Sequence, residues 1–98
     1  MLLVHTSCAT KKEAEKIAAA LVRAKLAACA SVYACKSFFL WKEKFERQSE
    51  FVVEIKMKDS NYPKAERMIK KIHSYAVPQI IAVKIAKANR AYARWAEG

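Results

Sequence analysis

Glycine occurs once in this 98-residue chain, at the last position, Gly98. That single count excludes a phosphate-cradling P-loop, a G-x-G-x-x-G dinucleotide turn and a glycine-lined oxyanion loop, each of which needs glycine where the backbone bends sharply or meets a ligand. A chain of 98 residues forms one domain, residues 1–98, with a thin core. Its 54% hydrophobic content beside 29% charge argues against disorder.

Cys8, Cys29 and Cys35 make an odd number without C-x-x-C spacing. A secreted disulfide framework favours an even count, so reduced thiols and a cytoplasmic location are the expectation. The apolar run Met1–Val4 is too short for a signal segment and has no basic stretch before it. No stretch approaches the roughly 18 apolar residues of a membrane helix, so no membrane partner is expected.

Leu2–Thr6 reads as a short buried strand rich in branched residues. Thr10 followed by Glu13 is a capping box, the hydroxyl taking a helix N–H while the carboxylate reaches back. Ala14, Ile17, Ala18, Leu21, Val22 and Leu26 then form the apolar stripe of a helix. Ala28–Leu40 predicts an unusually long strand, Trp41–Lys44 a hairpin turn, and the alternation of Phe51, Val53, Ile55 and Met57 a return strand. Asp59–Pro63 is a helix entrance, and Ala65, Met68, Ile69 and Ile72 are the buried stripe that follows. Pro78 precedes a last strand over Ile80–Ile85, and Asn89 caps a short helix carrying Tyr92 and Trp95. The order β-α-β-β-α-β with a C-terminal helix predicts an α+β, ferredoxin-like sandwich with helices on one face of an antiparallel sheet. The hairpin strands outreach the others, and unpaired overhangs seek partners; with Phe38, Phe39 and Trp41 placed there, self-association is expected.

Several segments together resemble the CutA divalent-cation-tolerance family. Lys25–Val32 is similar to its "LAACANV" segment, Ser37–Lys44 to its "S-x-Y-x-W-x-G-K" hairpin, and Glu50–Lys56 to its "E-x-x-x-x-x-K" return strand. His73–Ile81 resembles "HPYEVPEII", and Asn89 and Trp95 match the C-terminal "N-x-x-Y-x-x-W". The matches stand in one register from Met1 to Trp95. The resemblance implies a PII-like homotrimer in the cytoplasm, a link to copper and other soft ions, and no established catalysis. Two residues match it as metal candidates, Cys29 and His73, and Trp41, Glu50, Lys56 and Tyr75 match positions around the intersubunit cleft.

The departures carry chemistry. The family's hairpin glycine is Glu43 here, which strains a turn of positive φ. Its "P-Y-E" is Ser74-Tyr75-Ala76, and a second acidic position is Gln79, so two carboxylates that suit Mg²⁺ or Ca²⁺ are missing. A thiolate with an imidazole still suits copper or zinc, and no cofactor is obligatory. The capture mechanism expected from the resemblance joins Cys29 and His73 at or near a subunit boundary. Each has an ordinary alternative: Cys29 as a small apolar strand residue, His73 as a cation at a helix C-terminus. Cys8 and Cys35 lie outside the matched motifs and read as structural. Glu50 and Lys56, six apart on one strand and about 20 Å apart, each need a partner from another strand or subunit.

No nucleophile–base–orienter signature is present, and the chain is not expected to be an enzyme. The rival reading is a basic binding module, since 19 Lys+Arg against 9 Asp+Glu leave a formal charge of +10. RRM domains share the element order, but Arg47–Glu54 lacks the glycine and aromatic positions that such a domain stacks bases on. Sequence-specific nucleic-acid binding is therefore not expected, while non-specific association with polyanions stays open. A trimeric signalling scaffold without a metal is a further alternative.

Overall fold

Burial at every second residue builds the sheet. Val4, Thr6 and Cys8 on β1 (Leu2–Cys8) and Val53, Ile55 and Met57 on β3 (Lys44–Met57) are fully buried, while their alternates face the other side. The computed structural model describes residues 1–98, adding α1 (Lys11–Arg23), β2 (Cys29–Trp41), α2 (Tyr62–Ile72), β4 (Ile80–Lys84) and α3 (Arg90–Glu97), with a 3-10 turn at Asp59–Asn61. The strands form one antiparallel sheet in the order β2-β3-β1-β4. Ala14, Ile17 and Leu21 of α1 and Ala65 and Ile69 of α2 close one face of it, completing a ferredoxin-like α+β fold.

The opposite face has no helix over it. The register puts Leu3, His5, Cys29, Ser31, Tyr33, Val52, Glu54, Lys56, Ile81 and Val83 there, and Tyr33, Ile81 and Val83 are exposed. β1 pairs with β3 only from Phe51 to Met57. Lys44–Glu50 and the paired Cys35–Trp41 therefore extend past the sheet as a two-stranded arm. Phe38, Leu40, Trp41 and Phe45 are exposed on that arm, as the overhang predicts.

Two expectations need correction, the end of α1 and the capping box, while the strain expected of Glu43 in the hairpin turn is present. Val22 lies about 100° from the Ala14–Ile17–Leu21 stripe and is exposed, and α1 ends at Arg23, so Leu26 packs from the turn beyond the helix. The exit is a Schellman motif: Lys25 N–H donates to the Val22 carbonyl and Leu26 N–H to that of Leu21, with Lys25 at φ 59°. The hairpin turn is two residues, Lys42 and Glu43, at φ 52° and 65°. Positive φ at both is what a tight hairpin needs to match strand twist, so the loss of glycine at Glu43 does not change the turn's backbone region. Finally, only half of the capping box forms. Thr10 Oγ1 accepts the Glu13 N–H at 3.1 Å, but the Glu13 carboxylate turns away to Ser74.

Candidate functional site

β1 runs two residues further than Thr6, and strand parity then sets Cys8 on the core face, next to the start of α1 and the end of α2. His73 is the C-cap of α2, its N–H donating to the Ile69 carbonyl. Glu13, freed from the capping box, sits between them. One donor atom from each of Cys8, Glu13 and His73 lies within 4.8 Å of the others. The closest approaches are Cys8 Sγ to His73 Nε2 at 3.9 Å and His73 Nδ1 to a Glu13 oxygen at 3.5 Å.

The cluster is held by hydrogen bonds to the surrounding backbone. Nε2–H of His73 donates to the Ser7 carbonyl at 2.9 Å, and Nδ1 accepts the Tyr75 N–H at 3.2 Å, which together define one neutral tautomer. Glu13 accepts the Ser74 N–H at 3.3 Å. Burial, and secondarily the Glu13 charge, push the Cys8 thiol up to about 12, so it is a protonated thiol at neutral pH.

The donor set fits a borderline or soft divalent ion. Thiolate, imidazole and a single carboxylate are ligands for zinc or copper, and three protein ligands leave one position open. Two such ligands on a tetrahedral zinc sit about 3.6 Å apart, against 3.9 Å for Cys8 and His73. An imidazole gives one ion a single nitrogen, and Cys8 and Glu13 approach different ones, so loading requires one of the two side chains to swing to the other's nitrogen, loss of the Cys8 proton, and release of one His73 hydrogen bond.

Within one chain, Cys29 and His73 do not meet. Cys29 pairs with Lys56, whose β1 partner is Leu3, whereas His73 lies against Ser7 and Cys8. Five residues of strand separate those rows, about 17 Å, and the two side chains serve opposite faces of the sheet. Cys8, read as structural from the motifs, is the thiol that stands beside His73. Extending the Val4–Thr6 alternation by one step would have flagged it as core-facing. Cys35 faces the open side, its Sγ 3.7 Å from Ser37 Oγ.

Of the four cleft residues, Glu50 and Tyr75 bond each other, Trp41 lines the same cleft and Lys56 stands apart. Tyr75 Oη donates to Glu50 at 2.6 Å, and burial, followed by that hydrogen bond and then the Glu50 charge, raises the phenol's pKa. Lys56 finds its partner two residues away on its own strand, Nζ to Glu54 at 3.3 Å, so it needs none from elsewhere. Glu54 also approaches His5 and accepts from the Tyr33 hydroxyl. Trp41, Glu50 and Tyr75 line a cleft of about 720 Å³ between the arm and the 75–79 loop, with Phe38, Gln48 and Gln79. Lys56 lies outside it.

This geometry places the protein among small ferredoxin-like proteins with a Cys–Glu–His donor group at the end of the sheet. The sequence profile of the CutA1 divalent ion tolerance protein matches residues 2–98. The divalent-cation tolerance protein CutA of Archaeoglobus fulgidus is 33% identical over 92 residues, covering 94% of this chain and 90% of that one. CutA of Thermus thermophilus is 33% identical over 87 residues, covering 88% and 84%. The solved structure of the Thermus thermophilus protein superposes with a TM-score of 0.94 at 31% identity, over 99% of this chain and 96% of that one. The chain belongs to the CutA divalent-cation-tolerance family.

Proposed function

We propose that this protein is a cytoplasmic CutA homotrimer that captures a divalent or monovalent soft ion, copper or zinc, through Cys8 and His73 with Glu13 as third donor. The observation that carries this reading is the convergence of those three groups within 4.8 Å, in a family whose relatives are named for divalent-cation tolerance. Missing carboxylates at Ala76 and Gln79 favour the soft ion over a hard one. Trimerisation is supported by the apolar arm, with Phe38, Leu40, Trp41 and Phe45 exposed, and by the uncovered sheet face. Trp41, Glu50 and Tyr75 belong to the cleft a neighbouring subunit would meet. Binding and release, with no catalytic step, is the activity proposed.

The test is titration of the reduced protein with Cu(I), Cu(II) and Zn²⁺, with mass followed by light scattering. Cys8→Ser and His73→Gln are expected to abolish stoichiometric binding at unchanged trimeric mass, while Cys29→Ser retains it. Retention in Cys8→Ser, with loss in Cys29→Ser, would move the site to a subunit boundary and overturn the assignment. A monomeric mass would remove the trimer.

A further inference from the structure

Nine of the nineteen basic residues stand on the two sheet-covering helices or just after α1: Lys11, Lys12, Lys16, Arg23 and Lys25, then Lys64, Arg67, Lys70 and Lys71. All nine are exposed. The same segments carry three acids, and two are engaged by the protein: Glu13 with Ser74 and His73, Glu66 with the Tyr62 hydroxyl and Lys70. Glu15 is the one carboxylate left to offset the charge there.

Helical periodicity sorts these cations into two rows. At 100° per residue, Lys12, Lys16 and Arg23 fall within about 40° of one another, and Lys64, Arg67 and Lys71 within about 60°. Each row points away from its helix's buried stripe, Ala14–Ile17–Leu21 or Ala65–Ile69. The rows run about 16 Å and about 10 Å along their axes. α1 and α2 touch, and Lys12, Lys16 and Ile72 share one concavity with Thr10 and with Glu13, whose carboxylate is turned to Ser74 and His73. Packed helices lie about 8–10 Å apart, between the widths of the minor groove (about 6 Å) and the major groove (about 12 Å).

We propose that this helical face binds the phosphate backbone of double-stranded nucleic acid, one cation row to each strand bordering a groove, without reading sequence. The large exposed apolar side chains lie mainly on the arm and the open sheet face; on the two helices Val22 is the single one. The face therefore has no aromatic platform for single-stranded bases and no apolar wedge for a lipid surface. Phosphate contact alone is what its chemistry offers. None of the nine cations belongs to the Cys8–Glu13–His73 group, although Glu13 borders the concavity of Lys12 and Lys16, and metal titration reads that group separately.

The experiment measures affinity of the full-length protein for a mixed-sequence DNA duplex of about 20 base pairs across a salt series. Six phosphate contacts predict a log–log salt slope of about −5, or roughly a thousandfold loss of affinity between 50 and 200 mM salt. Lys12→Gln, Lys16→Gln, Lys64→Gln and Lys71→Gln together should reduce that slope to about −2. Lys42→Gln, Lys44→Gln, Lys87→Gln and Arg90→Gln remove the same charge elsewhere and should leave the slope near the wild-type value. Equal loss in both variants would show attraction by net charge and overturn the proposal. So would absence of binding at 50 mM salt, preference for a single strand, or tighter binding to phosphatidylserine vesicles than to duplex.

Discussion

The Tyr75 hydroxyl donates a 2.6 Å hydrogen bond to the buried carboxylate of Glu50, tying the loop after α2 to β3 where β1 has ended. The bond joins two residues of the cleft through direct contact within one chain. The Tyr75 ring also lies 5.0 Å from the His73 ring at a 45° tilt, and its backbone N–H donates to Nδ1. The same residue thus secures the cleft and the donor group.

Removing that hydroxyl leaves a buried carboxylate short of a partner. Tyr75→Phe is expected to lower stability by about 1.5–3 kcal/mol, the range for hydrogen bonds to charged groups. Denaturant midpoints of the two proteins measure it, and a change below about 0.5 kcal/mol would mean that water replaces the phenol.

Two of the three left-handed positions, Lys25 and Glu43, invite a glycine test. Lys25 closes the Schellman motif at φ 59° and Glu43 the hairpin at φ 65°. A residue with a Cβ is strained there by about 1–2 kcal/mol, partly offset by glycine's extra unfolded-state entropy. Lys25→Gly and Glu43→Gly should each raise stability by about 0.5–1 kcal/mol, read from thermal or denaturant unfolding.

Asp59 provides the pH dependence with a definite sign. The Lys84 ammonium, at 2.5 Å, and then the Met1 amino group lower its carboxyl from 3.8 to about 2. A depressed carboxylate stabilises the fold above its unfolded value, and that contribution is lost as pH falls from about 4 through about 2. Asp59→Asn should therefore be less stable than wild type at pH 7, with the gap closing as pH falls through about 2. Both residues are solvent-exposed, so the gap should also shrink in high salt. A gap unchanged across that pH range would contradict the pairing.

The N-cap of α1 gives a fourth test. Thr10 Oγ1 holds the Glu13 N–H, and Glu13 is a donor of the metal group. Thr10→Ala should cost about 1 kcal/mol of stability. Because the first turn of α1 carries Glu13, the same substitution should also weaken zinc affinity in the titration described above, whereas Asn89→Ala, at the remote cap of α3, should not.

Much of the fold was legible because its signals are local. The two-residue alternation of Phe51–Met57, the apolar stripes of α1 and α2, and the caps at Thr10 and Asn89 each follow from neighbouring residues, and the element order follows from them. The end of α1 was not legible. Leu26 continues the apolar spacing, but Lys25 turns left-handed and the stripe passes from helix to turn. Glu13 likewise satisfies a local motif in sequence, while a donor 61 residues away, the Ser74 N–H, captures its carboxylate.

The donor group marks the same division. Residue types and the family pattern determine from sequence alone that His73 stands where α2 ends and that thiols are available. Which thiol meets it is a matter of tertiary structure. β1 lies between β3 and β4, so its last core-facing residue, Cys8, comes under the end of α2, while Cys29 begins β2 two strands away at the other end of the sheet. Strand order and parity, enforced by burying Val4, Thr6, Val53 and Ile55 on one face, decide that choice across 65 residues of chain, a separation over which no spacing rule operates.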